Sequence, residues 1–108
     1  MATMQEVVTE IATKLESKAE KNKGINAVFQ FDIGGDDPMS FYFKLDDGVP
    51  TYSEGAADNA NVTISMAAPD FKKMAEGKLS GTMAFMTGKL KIKGDMSLAT
   101  KIESILLK

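Results

Sequence analysis

Two stretches of strict alternation constrain this chain more than any other feature. Ile25, Ala27, Phe29, Phe31 and Ile33 are interleaved with Asn26, Val28, Gln30 and Asp32, and Met39, Phe41, Phe43 and Leu45 with Ser40, Tyr42 and Lys44. In a strand, successive side chains point to opposite faces, so each stretch predicts one apolar and one largely polar face. Residues 34–38 predict a turn between them. Asp47 and Gly48 are a hairpin signal, followed by a short strand over 49–54. Residues 55–61 are small and polar, a loop of crossover length. Val62, Ile64 and Met66 predict a fourth strand. Leu90 and Ile92, alternating with Lys89, Lys91 and Lys93, predict a fifth.

Helical spacing occupies the rest. Met4, Val7, Val8, Ile11, Ala12, Leu15 and Ala19 recur every three or four residues over 4–20, and Gly24 offers a stop. Pro69 suits the first turn of a helix carrying Phe71, Met74 and Ala75 and ending at Gly77. Ser80 caps a short helix with Met83, Ala84, Phe85 and Met86, and Gly88 ends it. Asp95 caps a last helix holding Met96, Leu98, Ala99, Ile102, Ile105, Leu106 and Leu107. Strands with one apolar face, covered by helices on that face, make an α+β domain. At 108 residues there is length for one such core.

The composition removes most chemistries. There is no Cys, His, Trp or Arg. That excludes thiol and imidazole catalysis, zinc or copper sites built on N or S ligands, and the guanidinium fork for phosphate or guanine. A net charge of −2 argues against nucleic acid as a partner. No apolar run reaches the length of a membrane span, and no secretory leader is visible, so a cytoplasmic location is expected. No cofactor and no metal site is expected. The 8 Met stand out against roughly two or three in an average chain of this length. Met adapts to varied apolar partners, whereas a core built for stability alone favours Leu, Ile and Val.

Other motifs reduce to structure. Gly81 to Gly88 has six intervening residues, and Leu90 follows Lys89, so the phosphate-loop pattern fails. Asp36 with Asp37, and Asp46 with Asp47, are turn residues before they are metal ligands. Lys89, Lys91 and Lys93 line one face of a strand. That pattern guards a sheet edge and also suits contact with anionic head groups or a membrane surface.

The run from Ala84 to Ala99, with Gly88, Lys89, Leu90, Lys91, Ile92, Lys93, Gly94 and then Leu98 and Ala99, resembles the signature of the sterol carrier protein type 2 family. Asp58 through Met66, Asp70 with Phe71, and Gly77-Lys78-Leu79 agree with it upstream. The resemblance implies a five-stranded mixed, mostly antiparallel sheet in the order 3-2-1-4-5. Helices would cover one face, with an apolar cavity between them and the sheet. It also implies a non-catalytic carrier of fatty acids, acyl-CoAs, phospholipids or sterols, or a dimerising or accessory module for an enzyme. Phe29, Phe31, Phe41 and Phe43 are then expected as the floor of the cavity, and Val8, Ile11 and Leu15 as one wall. Met66, Phe71, Met74, Met83, Met86, Met96, Ile102 and Leu106 are expected as an adaptable side, with Thr87 as a polar group near the tunnel. The chain ends Ile105-Leu106-Leu107-Lys108 rather than in a Ser-Lys-Leu address, so peroxisomal import is not expected. It stops just after its last expected helix, without the family's longer tails, and so resembles a stand-alone prokaryotic member. Sterol is the less expected ligand. A monomer is expected, with a dimer as the alternative.

Overall fold

A capping box opens the fold. The Thr3 hydroxyl accepts from the Glu6 N–H at 3.2 Å, and Glu6 Oε1 accepts from the Thr3 N–H at 3.2 Å. The helix that follows, α1 (Met4–Ser17), turns Met4, Val7, Val8, Ile11 and Leu15 inward. The structure is a computed structural model, and it describes residues 3–35, 38–99, 101 and 105.

The five strands are β1 (Ala27–Gly34), β2 (Met39–Asp46), β3 (Val49–Glu54), β4 (Val62–Ala67) and β5 (Leu90–Gly94). They form one sheet in the order 3-2-1-4-5. β1 and β4 are parallel, and the other three pairings are antiparallel. The helices are α1, α2 (Ala68–Ala75), α3 (Gly81–Met86) and α4 (Met96–Ala99). The α+β reading and the strand order therefore hold. The inner face buries Phe29, Phe31, Ile33, Phe41, Phe43, Leu45, Val62, Ile64, Met66 and Leu90. α1 lies against α2 and β3, α2 against β1 and β4, and α3 against β5.

The periodic pattern overran α1. Its helix ends at Ser17, and residues 18–24 form successive turns in place of the expected last helical turn. The β2–β3 hairpin explains the difference by capturing the end of this segment. The Gly24 N–H donates to Asp47 Oδ1 at 2.7 Å, the Asp47 N–H to Asn26 Oδ1 at 2.9 Å, and the Gly48 N–H to the Ile25 carbonyl at 3.1 Å. Asp47 and Gly48 both adopt positive φ, +53° and +86°, as a two-residue hairpin turn requires. The crossover from β3 to β4 passes the outer face and is pinned by a side chain that alternation alone marks as solvent-facing. Gln30 is buried there. It accepts from the Ala57 N–H at 2.7 Å and donates to the Gly55 carbonyl at 3.0 Å.

Gly48 fits for two reasons, its φ and its space. A Cβ there would stand 2.5 Å from the Ala19 carbonyl oxygen and 2.8 Å from that of Asn22. Gly77 also has positive φ, +79°, but nothing lies within 4 Å of its would-be Cβ. In urea titrations, Gly77→Ala should therefore lose about 1 kcal/mol. Gly48→Ala should lose at least about twice that, because backbone must move to admit the methyl. Equal losses would remove the steric account.

Candidate functional site

The apolar ground of the site is a packed ring cluster. Phe31 stacks on Phe41 with centroids 5.1 Å apart, and Phe71 of α2 meets both edge-on at 5.6 and 6.1 Å. Phe43 continues the cluster to Tyr52, 5.5 Å away. Phe29, Phe41, Phe43 and Phe71 have no exposure to solvent. Val8, Ile11 and Leu15 of α1 close over the same core. The residues expected as the cavity floor thus form one buried cluster of rings in contact.

The two most exposed of the buried apolar residues lie on the β4–β5 pair. Met66 and Leu90, opposite each other in the β4–β5 register, are 6% and 7% exposed, and Met74 of α2 is 5% exposed. Ile105 is buried to a similar degree. Two of these four are the unbranched, flexible Met that the composition singled out.

Three Met expected beside them are on the surface instead. Met83, Met86 and Met96 are 53%, 74% and 47% exposed, as is Phe85 at 47%. For Met83, Met86 and Phe85 the cause is the shortness of α3. A six-residue helix on β5 turns one position fully inward, and that position is Ala84, small enough to bring the helix close. The Thr87 hydroxyl turns back on its own helix. It donates to the Met83 carbonyl at 2.8 Å and ends the helix. Met96 opens α4, where Asp95 Oδ1 accepts from the Ser97 hydroxyl and N–H and from the Leu98 N–H. The Ser97 bonds hold the Asp95 carboxyl below its ordinary value. Ile102 and Leu106 lie outside the described residues.

Lys89, Lys91 and Lys93 are all exposed at the β5 edge, with Lys91 and Lys93 opposite Ser65 and Thr63 of β4. A separate recess of about 280 Å³ lies between Asn26, Val28, Lys44, Asp46 and Asn61, away from the phenylalanines. Asn61 there serves the backbone, accepting from the Val28 N–H at 2.8 Å. Among the described residues, no group of three His, Cys, Asp or Glu is placed to hold a metal ion.

The model of the SCP-2 sterol transfer family matches residues 8–107. The chain belongs to that family. A curated relative, hydroxysteroid dehydrogenase-like protein 2 of Bos taurus, is 46% identical over 86 residues, covering 78% of this chain and 20% of its own length. The chain therefore spans about a fifth of that relative. Among solved structures, palmitated SCP2L2 from Aedes aegypti superposes with a TM-score of 0.81 at 18% identity, over 96% of this chain and 94% of that one. The apo form of sterol carrier protein 2 from Yarrowia lipolytica gives 0.71 at 25% identity, over 93% and 87%. The SCP-2 domain is a lipid-binding fold.

One group in this SCP-2 domain escaped pattern reading. Lys18 Nζ, just past α1, is shielded from solvent, and neither it nor Asn22 Nδ2 has a hydrogen-bond partner among the described residues. Burial first, then the charges of Lys21 and Lys14, push the Lys18 ammonium below its ordinary value. No periodicity marks it, because only the turn at 18–24 folds it in. A lysine whose value falls on folding disfavours the folded state while charged. The penalty is full at neutral pH and fades as pH rises from the lowered value to about 10.4. Lys18→Met should therefore raise Tm at pH 7 by about 4–8 °C for each kcal/mol of relieved burial. The gap to wild type should narrow toward pH 10. A lower Tm in the variant would show that Lys18 contributes stability after all.

Proposed function

We propose that this SCP-2 domain is a non-catalytic carrier that takes up single-chain lipids, fatty acids or fatty acyl-CoAs, between its helices and the phenylalanine face of the sheet. The observation that carries this reading is the family match across residues 8–107. The likeness in fold to a palmitated protein supports one acyl chain as the occupant. The chain enters past Met66, Met74 and Leu90, where the core is least sealed and the side chains yield most easily. It then displaces aromatic contacts rather than filling a standing hole. Each buried methylene contributes roughly 0.8 kcal/mol, so a dozen supply about 10 kcal/mol against ring repacking and loss of freedom. Sterol, a rigid body, suits such a collapsed and yielding site less well. The lack of His and Cys supports a role without catalysis. The carrier works as a monomer and exchanges its lipid in transient contact with a membrane surface.

A second reading has its own support. The curated relatives are about five times longer, which favours an accessory lipid-presenting module beside an enzyme. Both readings require the lipid, so lipid binding is the first test. Saturating palmitate or palmitoyl-CoA should raise Tm, on the order of 10 °C at about a hundredfold excess over Kd. Native mass spectrometry of protein purified without detergent should show a bound acyl chain. An unchanged Tm together with lipid-free spectra would rule out the carrier.

A further inference from the structure

Charge and exposed apolar side chains are unevenly distributed, and both concentrate in one segment of the chain, α3 and the edge strand that follows it. Residues 77–94 hold Lys78, Lys89, Lys91 and Lys93 and no Asp or Glu, while the rest of the chain has 9 Lys against 15 acidic residues. All four lysines are exposed. The same segment carries α3 with Met83, Phe85 and Met86, three of the five large apolar side chains most exposed to solvent among the described residues. The acidic groups nearest in sequence are partly occupied. Glu76 sits 3.8 Å from Lys78, and the Asp95 carboxylate accepts from Ser97 and Leu98.

A phenylalanine left nearly half exposed loses hydrophobic stabilisation that burial would supply, and among the described elements only β5 is in extensive contact with α3. A second copy of the chain is a poor occupant. It would set four lysines against four, and a six-residue helix offers far less than the roughly 1,200 Å² of a stable interface. An anionic lipid surface satisfies both halves of the patch. Its head groups attract the lysines, and its acyl boundary accepts the apolar tips.

We propose that α3 and the β5 edge form a docking surface for anionic membranes, with Phe85 and Met86 entering the headgroup region and Lys89, Lys91 and Lys93 against the lipid charges. α3 is joined to β5 by the Lys89 N–H bond to the Ala84 carbonyl at 2.9 Å. β5 in turn places Leu90 beside Met66 at the least sealed margin of the core. Docking on this face sets that margin toward the bilayer, where an acyl chain leaves or enters. This placement rests on the carrier reading, whereas docking itself is measured separately from lipid carriage.

The test is cosedimentation of the full chain with vesicles of phosphatidylcholine alone and of phosphatidylcholine with phosphatidylserine. Binding should require phosphatidylserine, gain roughly fivefold per engaged lysine, and collapse in high salt. Phe85→Ser should weaken it at least about tenfold, with palmitate binding by thermal shift retained. Val49→Ser should change nothing, since Val49 is 57% exposed but lies at β3, across the sheet from β5. Met86→Ser, at a position 74% exposed and outside the core, should repeat the loss without any effect on folding. Equal binding to both vesicle types, or wild-type binding by both variants, overturns the proposal. So does a dimer in sedimentation velocity that Phe85→Ser dissolves while vesicles are ignored. Vesicle binding without any palmitate effect on Tm would sink the carrier reading and leave the docking surface standing.

Discussion

The contact on which the rest depends is the aromatic stack across β1 and β2, closed from above by Phe71. Phe31 on Phe41 holds the antiparallel pair in register, because a slip by one residue would turn every ring in the row to the solvent face. Phe71 then fixes where α2 sits, and α2 with α1 roofs the inner face. Parallel pairing of β4 on β1 extends that face toward β5. The least sealed part of the core lies there, at the far end from the stack.

That gradient gives an SCP-2 domain of this kind its physical character. A cavity held permanently open would consume much of a small domain's stability. A core of branched residues packed to native density would resist a guest. This chain divides the two demands. Rigid rings on β1 and β2 keep the fold, and on the proposed carrier reading unbranched Met66 of β4 and Met74 of α2 supply the compliance. The helix against β5, α3, is short and contributes Ala84 to the core.

The strands, the glycine stops at 77 and 88, the caps at Ser80 and Asp95 and the hairpin at Asp47-Gly48 were legible from local rules. Each is dictated by φ, a cap hydrogen bond or alternation within a few residues. The end of α1 was not legible, because the bonds that take over from the helix come from a hairpin more than twenty residues away. Gln30 was hidden for the same reason. A polar side chain on an outer face looks solvated until a crossover loop lies on it.

The methionines show the division most clearly. Sequence by itself determined that there are too many for an ordinary core, that five fall in the second half of the chain, and that the domain is an α+β sheet carrying the SCP-2 signature. Which of them reach the core was a tertiary decision. Met66 and Met74 lie on elements long enough to present a full inward face, whereas α3 meets β5 at one small residue and leaves Met83 and Met86 outside. Helical spacing defines a face, and only the neighbour a helix packs against decides whether that face is buried.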